Sequence, residues 1–395
     1  MNEQTRQAYN VVIIGGALMG SSTAYHLLQR APTMRVCVVE KDRTYHWSAS
    51  ERSNAGIRIL FSQEENLLMS QYGHAFYGDF AHKTAIDGTP GHLDIYRHGY
   101  LFIANTDEQA RDIELNYEFE LGYGCEIDLL DADGVKARFP SIETSDITRA
   151  IHSPKDCWID SHGALMGLRK KVRSMGVDYI DGEVVGIEHD GRRARAVHLN
   201  DGRRIAGEHI VNTAGAWAGE ICATVNMEIP VIPLPRMVYY FETRNEVEQF
   251  SFTRDGIGVG FRPEGKGFIC GITNYNTGGH FNFEVDHERF DEEIWPNLSH
   301  RVPKFEAIKV VNAWVGHYAQ NTLDGNMIIG PHIGGVENFL IATGFSGHGL
   351  QHAPAVGRAL SELIIDGRYE SIDLTRLSYQ RVLDNTPYPE RGVKA

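Results

Sequence analysis

A short apolar run near the start of the chain ends in glycines. Residues 11–14 are apolar and β-branched without alternation, and together with Asn10 they predict a strand over residues 10–14 that is buried on both faces of a parallel sheet. Apolar positions recur with helical spacing over residues 19–29, and a second β-branched run covers residues 35–39. The pattern therefore predicts a β–α–β unit with a glycine-rich turn after its first strand.

The turn carries most of a dinucleotide-binding fingerprint. In the pattern G-x-G-x-x-G, the chain has Gly15 and Gly20 but Ala17 at the middle position, where the backbone approaches a pyrophosphate, so the Ala17 methyl is expected to push the phosphate slightly outward. Glu40 ends the second strand, 20 residues beyond Gly20, where a carboxylate meets ribose hydroxyls. An ordinary glycine turn in an α/β core is the alternative.

Two later segments repeat the strand-to-small-residue pattern. A charged, turn-rich hairpin leads into the strand of residues 209–212, which is followed by small residues up to Trp217. Residues 338–342 form another predicted strand, which enters the Gly-rich loop 343–349, and a helix is expected to start near Pro354. Three such turns could face one long ligand.

Composition narrows the class of protein. A chain of 395 residues fits a two-domain enzyme, and its net charge of −14 disfavours nucleic acid and anionic lipid as partners. The first apolar run is too short to span a membrane or to act as a secretion signal, so a cytoplasmic location is expected. The odd, scattered cysteines predict reduced thiols and no metal site: Cys37, Cys125, Cys157, Cys222 and Cys270.

Motifs along nearly the whole chain resemble the D-amino-acid oxidase-like family of flavoproteins, which includes glycine oxidase, sarcosine oxidase and the sarcosine and dimethylglycine dehydrogenases. They are "VVIIGGALMGSSTAYHL", "VCVVEKD", "SNAGIRILFS", "VNTAGAWAGEI", "NTLDGNMIIG" and "ATGFSGHGLQHAPAVGRAL". The stretch "SNAGIRILFSQEEN" is similar to the FOXRED group of FAD-dependent oxidoreductases. The resemblance implies an α/β fold, with a Rossmann-like FAD-binding domain (residues 1–90, 150–230 and 322–395) interleaved with a mixed-sheet substrate domain (91–149 and 231–321).

The resemblance implies FAD as the cofactor. The residues expected to contact it are Gly15, Ala17, Leu18, Met19, Gly20, Glu40, Lys41, Ser48, Ser50, Asn54, Ala55, Gly56, Arg58, Val184, Ala214, Gly215, Trp217, Gly344, Ser346, Gly347, His348, Gly349 and Leu350. For Arg58 the alternative is a surface ion pair, and for His348 it is a structural role.

Some family members attach FAD covalently, through a cysteine in the strand before the "TLD" segment or a histidine just before the "AG" turn. The corresponding segments here read Val-Gly-His-Tyr (315–318) and Arg-Ser-Asn-Ala-Gly (52–56), so neither nucleophile is present. His46, a few residues upstream, lies in a polar loop where a solvated or hydrogen-bonding role is expected. We therefore expect noncovalent FAD.

The substrate side departs from sarcosine oxidase. Two cations that hold the substrate carboxylate there correspond to Phe61 and Gln351 here, and a lysine used for reaction with oxygen aligns with Ile269, unless a one-residue shift brings Lys266 to that place. We therefore expect a dye-like or protein electron acceptor rather than oxygen. Other residues expected near substrate are Arg236, Tyr240, Arg262 and Tyr318. Arg236 and Arg262 could replace the lost charges or could be solvated strand residues.

The expected reaction is oxidation of a CH–NH bond in a secondary or tertiary amino acid or related amine. A hydride would pass to flavin N5 and water would hydrolyse the imine, with Tyr318, His348 and Arg58 orienting substrate and flavin. One alternative is a 2-hydroxy acid dehydrogenase, which needs a base such as His348. Another is a flavin-binding assembly protein without turnover.

Overall fold

The computed structural model describes residues 8–392. Its strands are β1 (Tyr9–Ile14), β2 (Val36–Glu40), β3 (Gly56–Ile57), β4 (Ile95–Tyr96), β5 (Tyr100–Ala104), β6 (Asp128–Leu130), β7 (Arg149–Ser153), β8 (Cys157–Ile159), β9 (Asp178–Asp181), β10 (Val184–His189), β11 (Ala194–Leu199), β12 (Arg204–Asn212), β13 (Val231–Thr243), β14 (Phe252–Asp255), β15 (Gly260–Glu264), β16 (Gly267–Gly271), β17 (Ile308–Asn321), β18 (Ile328–Pro331) and β19 (Phe339–Thr343).

The α-helices occupy the intervals between these strands and the carboxyl-terminal region. They are α1 (Leu18–Arg30), α2 (Glu64–Gly78), α3 (Phe80–Lys83), α4 (Asp107–Gly122), α5 (Ala132–Arg138), α6 (Ser161–Ser174), α7 (Ala218–Ala223), α8 (His287–Arg289), α9 (Trp295–Arg301), α10 (Gly349–Asp366) and α11 (Gln380–Leu383).

The first sheet has eight strands, and its centre is parallel. Strands β12, β1, β2 and β9 run in that order, β19 pairs parallel with the carboxyl-terminal half of β12, and β10–β11 form an antiparallel extension of the other half. The strands predicted at 10–14, 35–39, 209–212 and 338–342 are confirmed. Their carboxyl ends lie within one residue of the predicted positions. Helix α1 packs against α10 and α6, as the continuous burial of β1 requires.

The second sheet is mixed. Its order is β17-β13-β16-β15-β14-β5-β7-β6, with one parallel pair, β14–β5. A cluster of buried phenylalanines packs against it, namely Phe241, Phe250, Phe261, Phe268 and Phe305. A small third sheet has the strand order β3-β8-β4. The α/β class with mixed sheets is as predicted, whereas the domain boundaries stay a prediction.

The start of helix α10 was wrongly predicted. The helix begins at Gly349 rather than near Pro354, which lies inside it. Proline has no backbone N–H, so the carbonyl of Leu350, one turn earlier, loses its helical donor. The hydroxyl of Tyr77 donates to that carbonyl instead, at 2.7 Å. A side chain from α2 thus allows a proline in the first half of a buried helix.

Candidate active site

One cavity runs from the carboxyl ends of the parallel strands to the face of the second sheet. Ligands of open α/β sheets bind at that edge, outside the carboxyl ends of the strands. Most of the residues predicted to contact cofactor or substrate line this cavity: Gly15, Ala17, Leu18, Met19, Glu40, Lys41, Ser48, Ser50, Asn54, Ala55, Gly56, Arg58, Val184, Ala214, Gly215, Trp217, Arg236, Tyr318, Ser346, Gly347, His348, Gly349, Leu350 and Gln351.

Five residues predicted for the site do not reach the cavity lining. Gly20 faces the carbonyl of Gly15, and Gly344, with φ +75°, lies at the start of the Gly-rich loop. Phe61 is buried, and Cζ of Arg58 lies 3.9 Å from the centroid of its ring. The Tyr240 hydroxyl donates to Glu242, and Nε of Arg262 donates to the Asn54 carbonyl at 3.0 Å.

The glycine turn is shaped by close backbone contacts. Gly15 has φ +93°, and a Cβ there would lie 2.7 Å from the carbonyl oxygen of Thr213. A Cβ at Gly20 would overlap the carbonyl oxygen of Gly15. Ala17 has φ −67°, which any residue adopts, and stands immediately before α1. The methyl of Ala17 therefore causes no backbone strain in the turn. Leu18 and Met19, the first residues of α1, line the cavity, and a helix N-terminus favours a bound phosphate.

Glu40 ends β2 beside this turn. Its carboxylate accepts hydrogen bonds from the backbone N–H of Gly16, at 2.7 Å, and of Asp42, at 2.9 Å. Burial raises the pKa of Glu40, and these two hydrogen bonds oppose that effect. The neighbouring Lys41 ammonium lies 3.8 Å from the ring centroid of Trp217, so the two residues build one wall of the cavity.

At the other end of the cavity, Arg58 and His348 form a buried contact. Nη2 of Arg58 lies 3.1 Å from Nε2 of His348, and the backbone N–H of Arg58 donates to Oε1 of Gln351 at 2.9 Å. Arg58 is 6% exposed, so the surface ion-pair alternative is excluded. A guanidinium only donates hydrogen bonds, so Nε2 of His348 accepts and its proton lies on Nδ1.

The electrostatics agree with that tautomer. Burial and the charge of Arg58 together lower the pKa of His348 well below its ordinary value, so the imidazole is neutral at pH 7. Among the described residues, no hydrogen-bond partner faces Nδ1 of His348. Its N–H is therefore a donor for a ligand in the cavity.

Tyr318 reaches the cavity from β17. Its ring packs against the Gly-rich loop, because a Cβ at Gly347 would lie 2.9 Å from Cζ of Tyr318. Gly347 has φ +105°, a conformation that favours glycine, and the absence of a side chain also allows the ring of Tyr318 to approach closely. His317 borders the cavity as well, but its ring packs on Phe281 and Phe283.

Arg254, on β14, was not predicted from the sequence. It is 6% exposed, lines the cavity, and its pKa is lowered to about 10, first by burial and then by the charge of Arg236. The available signal was a pair of strand glycines, Gly260 and Gly271, since glycine within a strand marks a close approach of another group. Both face the two arginines.

These residues fit FAD. Gly15, Ala17, Leu18 and Met19, at the turn and the start of α1, line the cavity together with Glu40. Within residues 8–392 the buried Oδ1 of Asn54 has no hydrogen-bond partner. No cysteine lines the cavity within the described part of the chain, and all five cysteines are buried and unpaired. No group of three or more His, Cys, Asp or Glu residues in that part is placed to hold a metal.

Comparison with known proteins decides the family. The family model described as "DAO: FAD dependent oxidoreductase" matches residues 10–363. The chain belongs to the DAO family of FAD-dependent oxidoreductases. It is a flavoprotein oxidoreductase with FAD as its cofactor, and the resemblance found in the sequence motifs is confirmed.

Three relatives illustrate the family. The chain is 34% identical to FAD-dependent oxidoreductase domain-containing protein 1 from Xenopus laevis, over 97% of this chain and 84% of that protein. It is 26% identical to human mitochondrial dimethylglycine dehydrogenase, over 96% of this chain and 45% of that protein. The crystal structure of L-proline dehydrogenase from P. horikoshii has a TM-score of 0.86 at 24% identity, over 97% of this chain and 100% of that chain. This likeness shows a shared fold.

Among residues 8–392, no helix is long and apolar enough to cross a membrane. The cytoplasmic location stays a prediction.

Proposed function

We propose that this DAO-family protein oxidises a CH–NH bond in a secondary or tertiary amino acid or a related amine. Two relatives carry names of this class, dimethylglycine dehydrogenase and sarcosine dehydrogenase. The resemblance to them extends over 96% and 94% of the chain. The chemistry of the Arg58–His348 contact supports the same choice.

Bound FAD supplies the acceptor for the two electrons that leave with the substrate hydride. The C–H bond beside nitrogen breaks, and the nitrogen lone pair becomes the second bond of a cationic C=N group, an iminium. Water then adds to the iminium carbon, one proton leaves to solvent and the C–N bond breaks, which gives an amine and a carbonyl compound. The substrate must therefore arrive with an uncharged nitrogen.

Whether His348 can act as a base distinguishes an amine substrate from a hydroxy acid. Oxidation of an alcohol needs a base for the hydroxyl proton. The only basic lone pair of neutral His348 faces the guanidinium of Arg58 at 3.1 Å, and the pKa of the imidazole is well below 6.5. His348 is thus a donor toward the cavity through Nδ1. An amine that binds uncharged needs no such base.

The site itself favours an uncharged amine. Arg58 is a buried cation that lines the cavity. Burial and a neighbouring positive charge both disfavour an ammonium group, so the pKa of a bound amine falls. Tyr318, whose ring packs on the Gly-rich loop, and the Nδ1–H of His348 within that loop orient the substrate.

Anaerobic mixing tests this proposal. Holoenzyme is mixed without oxygen with N-methyl amino acids, primary amino acids and 2-hydroxy acids, and the absorbance of the bound flavin is followed. We expect the N-methyl amino acids to bleach it fastest. Faster bleaching by a 2-hydroxy acid would identify the alcohol-oxidising alternative. Bleaching by dithionite and by no substrate would identify the assembly protein without turnover.

The electron acceptor stays a prediction. Lys266 is exposed in the turn between β15 and β16, so it does not supply a cation to the cavity, and Ile269 is buried outside the lining. Two other cations line the cavity: Arg58, which was predicted to contact the flavin, and Arg254, which was not predicted from the sequence. Rates of turnover with oxygen and with an artificial dye decide between the acceptors, and a faster rate with the dye is the predicted result.

A further inference from the structure

Segment 58–62 lies between strand β3 and helix α2 and carries Arg58. It contains no helix or strand, yet four of its five residues are buried. Buried backbone N–H groups that have no helix or strand partner need other acceptors. Gln351 on α10 accepts the N–H of Arg58, and two carboxylates accept N–H groups further along the segment.

The two carboxylates come from distant parts of the chain. Asp156, in the turn between β7 and β8, accepts the N–H of Ile59 with both oxygens, each at 3.2 Å. Glu390, beyond α11, accepts the N–H of Ser62 at 2.6 Å and the Ser62 hydroxyl at 2.5 Å. Asp156 has a completely buried side chain, whereas Glu390 is half-buried. These two acids therefore fix the backbone on both sides of Leu60.

The guanidinium of Arg58 is attached to the same segment. It donates to the carbonyl of Leu60 and packs on the ring of Phe61. Outside the segment, its Nη2 contacts Nε2 of His348 at 3.1 Å. The place of the guanidinium in the cavity therefore follows from the conformation of segment 58–62.

The neighbouring charges favour the cation of Arg58. Burial lowers the pKa of Arg58, and Tyr100, Glu390 and Asp156 oppose that effect. Glu120 is a third acid beside Arg58, but burial and the charge of Asp156 raise the pKa of Glu120 to about 9. Glu120 is therefore neutral at pH 7, and the negative charge comes from Asp156 and Glu390.

We propose that Asp156 and Glu390 are positioning residues, which hold segment 58–62 so that Arg58 meets His348 and keeps its charge in the cavity. This inference rests on the proposed function, in which Arg58 and His348 orient substrate and flavin. Both acids lie outside the cavity lining, so each acts through the segment and not by contact with a ligand.

The reduction potential of the bound FAD tests this placement without a substrate. Holoenzyme and a reference dye are reduced together under anaerobic conditions, and their spectra give the potential. Loss of a nearby carboxylate makes flavin reduction easier, whereas withdrawal of a cation makes it harder. We expect Asp156→Asn and Glu390→Gln to shift the potential to more negative values, as Arg58→Met does. An unchanged or more positive potential in both acid variants would overturn the proposal.

A double variant shows whether the acid acts through Arg58. In the Arg58→Met background, Asp156→Asn should cause no further negative shift, because no guanidinium is left to displace. A negative shift of equal size in both backgrounds would indicate a general loss of structure and would overturn the proposal. Glu390→Gln changes a half-buried residue, so it provides the same comparison if Asp156→Asn does not fold.

Glu362→Gln is the matched control. Glu362 is 2% exposed, and its carboxylate accepts the N–H groups of Glu370 and Ser371, at 2.8 and 3.1 Å, and pairs with Arg358. It is thus a buried acid with the same kinds of partner, but it lies near the carboxyl end of α10 and outside the cavity lining. We expect an unchanged potential. A negative shift equal to that of Asp156→Asn would contradict the assignment.

Substrate reduction separates this inference from the proposed function. Anaerobic bleaching by a saturating N-methyl amino acid should be at least tenfold slower in Asp156→Asn and Glu390→Gln than in the natural chain. Unchanged potentials and rates in both variants would overturn the positioning role and leave amine oxidation intact. The expected shifts in potential, with no bleaching of the natural chain by any amine, would support the positioning role and overturn amine oxidation.

Discussion

The carboxylate of Glu40 accepts a hydrogen bond of 2.7 Å from the backbone N–H of Gly16, which ties the end of β2 to the glycine turn after β1. The same carboxylate lines the cavity at the position predicted for a ribose ligand. Glu40→Gln keeps one oxygen for Gly16 but removes the charge and one acceptor. We expect the Kd for FAD to rise about tenfold, since a charged hydrogen bond contributes about 1.5–3 kcal/mol.

Equilibrium dialysis or fluorescence titration of the apoprotein measures this Kd. Glu188→Gln is the control, because Glu188 is a half-buried carboxylate outside the cavity. An unchanged FAD affinity in Glu40→Gln would show that Glu40 is not the ribose ligand.

The two small residues of the turn should respond in opposite ways. Gly20→Ala places a methyl where it overlaps the carbonyl of Gly15, so the turn must open, and we expect loss of FAD binding. Ala17→Gly should be tolerated, with a stability loss of up to about 1 kcal/mol from greater unfolded-state entropy. FAD content after purification and thermal denaturation distinguish the two outcomes. Strong loss of FAD in Ala17→Gly would mean that the methyl packs on a group that the turn geometry does not reveal.

The flavin should dissociate on denaturation. No cysteine lines the cavity in residues 8–392, and both histidines of the lining already have packing or hydrogen-bond partners, in Phe281 for His317 and Arg58 for His348. Acid precipitation of yellow holoenzyme should therefore leave the flavin in the supernatant. Flavin that stays with the precipitate would mean a covalent bond, and peptide mapping would then locate it.

Tyr77→Phe should destabilise the protein by about 1–3 kcal/mol. The change leaves the buried carbonyl of Leu350 without a donor, because Pro354 has no N–H to offer it. Pro354→Ala restores a backbone donor for the same oxygen. Urea unfolding of both single variants and the double variant forms the test, and we expect Tyr77→Phe to cost less in the Pro354→Ala background. Equal costs in both backgrounds would exclude this coupling.

Buried His26 should make stability depend on pH. Burial lowers its pKa from 6.5 to about 4, and its ring nitrogens lie 2.9 Å from the Ser22 carbonyl oxygen and 3.0 Å from the Tyr72 hydroxyl oxygen. Below about pH 6.5 the unfolded chain takes up a proton that the folded protein does not accept until about pH 4. The free energy of unfolding therefore falls across this window on acidification, by about 3 kcal/mol for this residue.

Urea unfolding at several pH values between 7 and 4.5 measures that dependence. His26→Gln should be less stable at pH 7 but should lose less stability on acidification than the natural chain. His82→Gln is the control, because His82 is exposed and should leave the dependence unchanged. If His26→Gln left the pH dependence of the free energy of unfolding unchanged, other titrating groups would dominate that dependence.

Local sequence patterns predicted the elements of the FAD-binding turn. Strand β1, the turn at Gly15 and Gly20, helix α1 and the carboxylate of Glu40 lie within 32 residues of one another, from residue 9 to residue 40, and each has its own signature in periodicity or residue size. The start of α10 was beyond such patterns. A proline normally marks a helix end or start, and only a hydroxyl from Tyr77 on α2 made Pro354 acceptable inside the helix.

The substrate half depended on the tertiary structure. Arg58 and His348 are 290 residues apart in the chain and meet at 3.1 Å, and that contact fixes the tautomer of the imidazole. Arg236 and Arg254 share a cavity because four strands align two glycines beneath them. Sequence periodicity shows which face of a strand a residue occupies, but the order and register of the strands decide which charges become neighbours.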